Sequence, residues 1–351
     1  MRKSLDQKLA ALRANPEANV FILADAKDAD LAWGCSSPGL RRTPNPSGSG
    51  FRSMSEFREQ CREIIAQGMI DILLASTSTH ALLAHKERLF EHSPVTPAIR
   101  ANDTTDVWRG RGARYRDEPS RPFATTYLEE AQWGDDPLLW SKVRGQSRRP
   151  VVNLGLYSMT FNNQVDPDLD TLAAFKAFRL EARAKGFRYF LEIFPPNVSY
   201  REARLRPSEV PGFVNDQIAR LLASVPAGMR PEFLKLPYFG TRALTELRNY
   251  DASLIIGVLG GGSGTTHDAF KLLADAQAAG ARCALFGRRI KDAEDPLAFI
   301  AAMRAIVDHG LAAREAVRFY RGELQKQGIR PLRSVRDDME ITFNDLSFTR
   351  L

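Results

Sequence analysis

A closed parallel (β/α)8, or TIM, barrel is the fold this 351-residue sequence predicts. Three observations carry the prediction. Short apolar, β-branched runs alternate with longer amphipathic stretches along the chain. There are eight such runs, and together with the stretches between them they absorb nearly all of the residues. No repeat of fixed length replaces this alternation with a solenoid or propeller. A doubly wound open sheet is the competing architecture.

The elements follow in order. Residues 1–17 read as a helix capping the bottom of the barrel, and 20–25 (VFILAD) as the first strand. Gly34 to Ser55, rich in Gly, Ser and Pro, is a long loop; 69–74 (MIDILL) and 97–101 (PAIRA) are the second and third strands. A second long loop, Asp103 to Pro122, carries Arg109, Arg111, Arg114, Arg116 and Arg121. On a barrel both loops fall on the active-site face, although a subunit contact fits them equally well. The fourth strand is 151–157 (VVNLGLY), after which Asp166-Pro167 opens a helix that closes at Lys185-Gly186. Strands at 187–194 (FRYFLEIF), 232–236 (EFLKL), 253–259 (SLIIGVL) and 281–286 (ARCALF) complete the eight. Thr265 or Thr266 caps a helix that buries Ala269, Phe270, Leu273 and Ala276 and stops at Gly280. Asp295 and Pro296 begin another, with Leu297, Ile300 and Ile306 inward and Gly310 at its end. Residues 20–310 thus form the barrel and 311–351 a C-terminal helix and tail, in one domain spanning 1–351.

Composition narrows the function. An apolar share of 44% with 26% charged residues suits a folded globular chain, and Gly 24 with Pro 20 excludes collagen-like or low-complexity sequence. No apolar run approaches the ~20 residues a bilayer span needs. Met1 to Val20 is charged and lacks a signal peptide's apolar stretch. Cys35, Cys61 and Cys283 are scattered and without metal spacing, which fits a cytoplasmic protein. His80, His85, His92, His267 and His309 form no metal motif, so no metal is expected. Ser76 and Ser78 lie near His80 without a nucleophile elbow. The net charge of +7 points to an anionic partner. No basic stripe interleaved with aromatics makes that partner a nucleic acid.

Lys235 is the most informative residue. In PEFLKLPY it is flanked by Phe233, Leu234 and Leu236, inside a strand where an ammonium must snorkel or enter a polar cavity. A desolvated amine is the form that attacks a carbonyl. Glu192 is likewise a charge flanked by apolar residues, in FRYFLEIF one strand earlier. The two can divide nucleophile and proton-transfer roles or form a structural ion pair. Asp25 and Tyr157 end the first and fourth strands, as mouth residues or simple turn residues. GVLGGGSGTT (257–266) precedes a helix, and Phe286-Gly287-Arg288 ends the next strand. Glycines admit backbone amides to an anion, and barrels recurrently bind phosphate after strands 7 and 8. The cluster matches neither the Walker nor the dinucleotide fingerprint.

VVNLGLY, FRYFLEIFPPN, PEFLKLPYF, LIIGVLGGGSGTT and CALFGRRI, in that order, resemble the class I (Schiff-base) aldolase superfamily. The similarity extends to its tagatose-bisphosphate, sulfofructose-phosphate and archaeal-type fructose-bisphosphate aldolase branches. The first 150 residues match mainly through FILADAKDAD. The resemblance implies a lyase that breaks or forms a C–C bond in a phosphorylated or sulfonated ketose, without a cofactor. Lys235 falls on the Schiff-base lysine, Glu192 on the proton-shuttling glutamate and Asp25 on the strand-1 aspartate, with Tyr157 or Asp25 expected to act at the C4 hydroxyl. Gly260, Gly261, Gly262, Gly287 and Arg288 fall on the phosphate site, with Lys27 and Arg100 added to the substrate contacts. Asn153 stands where tagatose-branch relatives carry a second lysine, a departure that bears on the substrate rather than on Schiff-base chemistry. A homo-oligomer is also implied. A transaldolase- or isomerase-type enzyme using the same lysine, or a non-catalytic sugar-phosphate-binding barrel, are the alternatives.

Overall fold

The computed structural model describes residues 2–41, 50–134, 150–261 and 264–342. Eight parallel strands close a barrel: β1 Ile22–Ala26, β2 Ile72–Ala75, β3 Thr96–Arg100, β4 Leu154–Thr160, β5 Arg188–Phe194, β6 Leu234–Leu236, β7 Ile256–Leu259 and β8 Cys283–Phe286. Each pairs with its successor, and β8 returns to β1 with Ile22 opposite Cys283. Every strand lies over its expected run. Most ladders begin later than the apolar run, because lead-in residues such as Phe21, Val152, Phe233 and Ile255 are buried before pairing starts. β4 extends further than expected, to Thr160.

The principal helices are α1 Ser4–Ala14, α2 Met54–Gln67, α3 Leu128–Trp133, α4 Val165–Ala184, α5 Val210–Ala223, α6 Thr241–Tyr250, α7 Thr266–Ala278, α8 Pro296–His309 and α9 Ala313–Lys326. Thr265 caps α7 and Asp295 caps α8, as their positions ahead of apolar runs predict. Gly310 ends α8 in the left-handed conformation, φ 68°. At α4 the capping differs from expectation. Asp168, not Asp166, reaches back to accept from the Asn162 and Gln164 amides at 2.7 and 3.2 Å. No described helix is long and apolar enough to cross a membrane.

Strand side chains alternate between two environments with period two. Ile22, Ala24, Ala26, Ile72, Leu74, Ala98, Leu154, Leu156, Phe190 and Leu285 fill the barrel interior. α1 presses Leu5, Leu9 and Leu12 onto that cluster from below, each side chain contributing about 2 kcal/mol by burial. Lys8 of α1 and Arg304 of α8 both bind the buried Asp71 carboxylate, fastening the plug to the barrel floor. Burial alone would raise the Asp71 pKa, but Arg304 and Lys8 outweigh it and hold the carboxyl below its usual range. The intervening residues, among them Leu23, Leu73, Ile99, Tyr157 and Leu191, face the helices in a second, outer core. This inner/outer partition decides which polar side chains reach the mouth.

Candidate active site

Four consecutive strands place inward-facing residues side by side. Ser158 is in register with Glu192, Glu192 with Lys235, and Lys235 with Gly257. Lys235 Nζ lies 2.5 Å from Glu192 Oε1, both side chains almost fully buried. The other carboxylate oxygen, Oε2, accepts from Ser158 Oγ at 2.5 Å and from Arg100 at 3.4 Å. Glu192 is therefore held by three groups from three strands. Gly257 has no room for a side chain; a Cβ there would sit 2.7 Å from the Leu234 carbonyl.

Arg100, the last residue of β3, bridges this row to the loops. It donates to Asp28 at 2.8 Å, Asp103 at 3.3 Å and Ser158 Oγ at 3.0 Å. Burial opposes its charge, but Asp28, Asp103 and Glu192 together more than compensate, so its pKa is raised. The Asp103 pKa is raised by burial, with Arg100 pulling it back. Above the row opens a cleft lined by Lys235, Glu192, Arg100 and Asp28, by Gly260, Gly261, Gly287 and Arg288, and by Trp33 and Arg109.

The structure brings together Lys235, Glu192, Arg100, Gly260, Gly261, Gly287 and Arg288, while Gly262 lies outside the described residues. The glycines also have a packing reason. A Cβ on Gly260 would overlap the Phe286 ring at 2.4 Å, and one on Gly287 the Ala26 carbonyl at 2.0 Å. The α7 N-terminus, which the sequence offered to an anion, is occupied by protein carboxylates. Thr265 N–H donates to Asp268 at 2.7 Å and Thr266 N–H to Asp338 at 2.9 Å. Around them, the Glu340 carbonyl accepts from Thr265 Oγ1, the Met339 carbonyl faces His267 Nδ1 at 2.8 Å, and Thr342 binds Asp268. From the β8 side, Arg289 donates to the Gly264 and Thr265 carbonyls.

Four predicted residues lie elsewhere. Asp25 and Lys27 alternate with the inward Ala24 and Ala26, and so point out of the barrel toward α2. They form an ion pair at 3.2 Å, and Lys27 donates to Gln60 and lies 5.7 Å from the Phe57 ring centroid. Tyr157 faces outward between the inward Leu156 and Ser158. Its ring stacks on Phe178 at 4.3 Å and lies 5.2 Å from Phe175 of α4, and burial raises its pKa. Asn153 precedes β4 at the barrel floor, bonded to Gln132 and the Gly186 carbonyl. Each correction follows from where the strand's alternation starts. Asp28, Ser158 and Trp33 are cleft or row residues not expected from the sequence, whereas Arg109 is the one arginine of the loop after β3, expected on this face, that lines the cleft. Two-residue spacing from Leu154 and Leu156 was the available signal for Ser158; Trp33 and Arg109 lie in loops with no periodicity to read.

No protein-family model and no curated protein matches this chain. Among solved structures it is similar in fold to an archaeal fructose-1,6-bisphosphate aldolase, at TM-score 0.58 and 15% identity over 87% of this chain and 100% of that one. A fructose-bisphosphate aldolase from Slackia heliotrinireducens superposes at TM-score 0.60 and 15% identity, covering 95% of this chain and 94% of its own. A third, an archaeal fructose-1,6-bisphosphate aldolase with its catalytic lysine bound to the carbinolamine intermediate, gives TM-score 0.57 and 15% identity over 87% and 100% of the two chains. At that identity the likeness is one of fold.

Proposed function

We propose that this barrel is a Schiff-base aldolase acting on a phosphorylated or sulfonated ketose. The observation that carries the reading is the buried Lys235–Glu192 pair, 2.5 Å apart on adjacent strands at the C-terminal mouth. An amine beside a carboxylate in a dry, shaped cleft is equipped for carbonyl addition and for the proton transfers that addition requires. The fold shared with Schiff-base aldolases supports the same reading.

In this mechanism the Lys235 amine, its proton taken by Glu192, adds to the ketone carbon, and the carbonyl oxygen gains a proton. Glu192 then donates to the carbinolamine hydroxyl, water leaves, and an iminium remains. Cleavage of the C3–C4 bond sends its electron pair into the iminium while the C4 hydroxyl loses its proton. The aldehyde departs, and protonation and hydrolysis of the enamine return free Lys235 and the ketone product. Ser158 and Arg100 fix the Glu192 carboxylate, so that it presents Oε1 to the reacting nitrogen. The C4 proton needs a second acceptor. Asp28, which lines the cleft and is oriented by Arg100, takes the role expected of Tyr157 or Asp25.

Borohydride reduction in the presence of phospho-ketoses tests the proposal. The expected result is a stable mass increment on the peptide containing Lys235, absent in Lys235→Ala. Wild-type protein that turns over no phospho-ketose and gives no adduct sinks the reading. Ligand binding that survives Lys235→Ala without turnover marks a non-catalytic binding barrel instead.

A further inference from the structure

We infer that Arg109, from the loop after β3, reaches across the face of Trp33 and adds a second guanidinium to the phosphate site expected at Arg288, so that the pair grips one terminal phosphate-type dianion of the substrate. The inference rests on the aldolase reading for the rest of the substrate, but not for the anion. Both guanidiniums line the cleft, and both lie over the Trp33 ring, with Arg109 at 5.2 Å and Arg288 at 6.0 Å from its centroid. Among the described residues neither has a carboxylate within ion-pairing distance, whereas Arg100 in the same cleft has three. Half-buried cations without a partner are costly, and two that share one indole also repel each other. Burial lowers the pKa of each guanidinium, and for Arg288 the charge of Arg109 adds to the effect. An anion between them relieves both penalties. A tetrahedral dianion matches two donor forks better than a carboxylate does.

The loop is built to hold Arg109 there. Its amide donates to the Ala32 carbonyl at 2.8 Å, pinning the loop after β3 to the segment that carries Trp33. Behind it, Trp108 stacks on Tyr115 with centroids 4.2 Å apart and packs against Phe123. Pro122 and Phe123 close the loop's base by pairing with Asp103 and Thr104. Gly260, Gly261 and Gly287 line the same cleft, so the anion would meet backbone as well as side chains. The other arginines of the loop do not share this setting: Arg111, Arg114, Arg116 and Arg121 are exposed.

Calorimetric titration of the full chain with inorganic phosphate tests the clamp without requiring Schiff-base chemistry. Wild type is expected to bind phosphate, and Arg109→Gln and Arg288→Gln each to weaken it at least tenfold. The double variant is expected to lose less than the product of the two single factors, as residues sharing one ligand do. Sulfate serves as the second probe, and a wild-type preference for sulfate over phosphate would assign the clamp to a sulfonate terminus and overturn the phosphate assignment. Absence of phosphate binding by wild type, Arg109→Gln within twofold of wild type, or fully multiplicative losses overturns the inference. Far-ultraviolet spectra and melting curves of the variants exclude misfolding as the cause. Phosphate binding without a borohydride adduct at Lys235 would refute the aldolase reading while leaving the clamp standing.

Discussion

Asp25 is a fully buried carboxylate ion-paired to Lys27 at 3.2 Å, and burial pushes its pKa up to about 6, with Lys27 pulling it back. In the unfolded chain an aspartate titrates near ~3.9. Between those values the folded protein binds a proton that the unfolded chain has released, so stability falls as pH rises through the window. The loss attributable to Asp25 is about 3 kcal/mol by pH 7. Asp25→Asn removes this slope, so urea melts should show the variant gaining on wild type from pH 4 to pH 7; a flat difference would mean Asp25 does not titrate as placed. At the mouth, Glu192→Gln should lower turnover by about 10²- to 10⁴-fold, while leaving Lys235 in place for slow trapping. Lys235 and Glu192 were legible in the sequence because a charge flanked by apolar residues inside a strand has few places to go. Asp25 faces the outer core and Asp28 the cleft, a difference the sequence does not show because a strand's end does not announce its phase. One residue of difference moves a side chain from the cleft to the outer core.

The turns after β1, β7 and β8 join strand ends that approach without room for side chains. A Cβ on Gly287 would lie 2.0 Å from the Ala26 carbonyl, backbone that cannot swing aside. Gly287→Ala should therefore destabilise the barrel by several kcal/mol or prevent soluble expression, measured by thermal unfolding. β4 offers the complementary test. Tyr157→Phe alters a ring packed against α4 and should leave turnover within about twofold, whereas Ser158→Ala releases Glu192 Oε2 and should lower it by at least about tenfold. Equal effects would contradict the alternation described for this strand. At this scale the sequence was most informative where chemistry is local. Thr265 and Asp295 cap the helices they were expected to cap, since a cap needs only its own turn. Loops are set by partners distant in sequence, and the amide contact from Arg109 to Ala32 had no local signature.

For the molecule as a whole, the net charge of +7 divides into cations with different settings. Lys235 and Arg100 are matched by carboxylates in the cleft, Arg109 and Arg288 face it with no matching carboxylate among the described residues, and much of the remainder is exposed. Replacing the exposed Arg111 and Arg114 with glutamine should leave phosphate affinity unchanged, because exposed charges are largely screened at physiological salt. The barrel's order was readable because eight buried strands write apolar runs into any sequence that forms them; the way its last described segment folds back was not. Residues 338–342 bind Thr265, Thr266, His267 and Asp268 at the start of α7. This has a consequence for biosynthesis. A ribosome completes every barrel strand by Phe286, so the sheet can close while the chain is still tethered. The Thr266 amide at the head of α7 receives the Asp338 carboxylate only when the chain has been translated more than fifty residues further. The head of α7 thus reaches its final form late in synthesis, after the lysine strand has already been built.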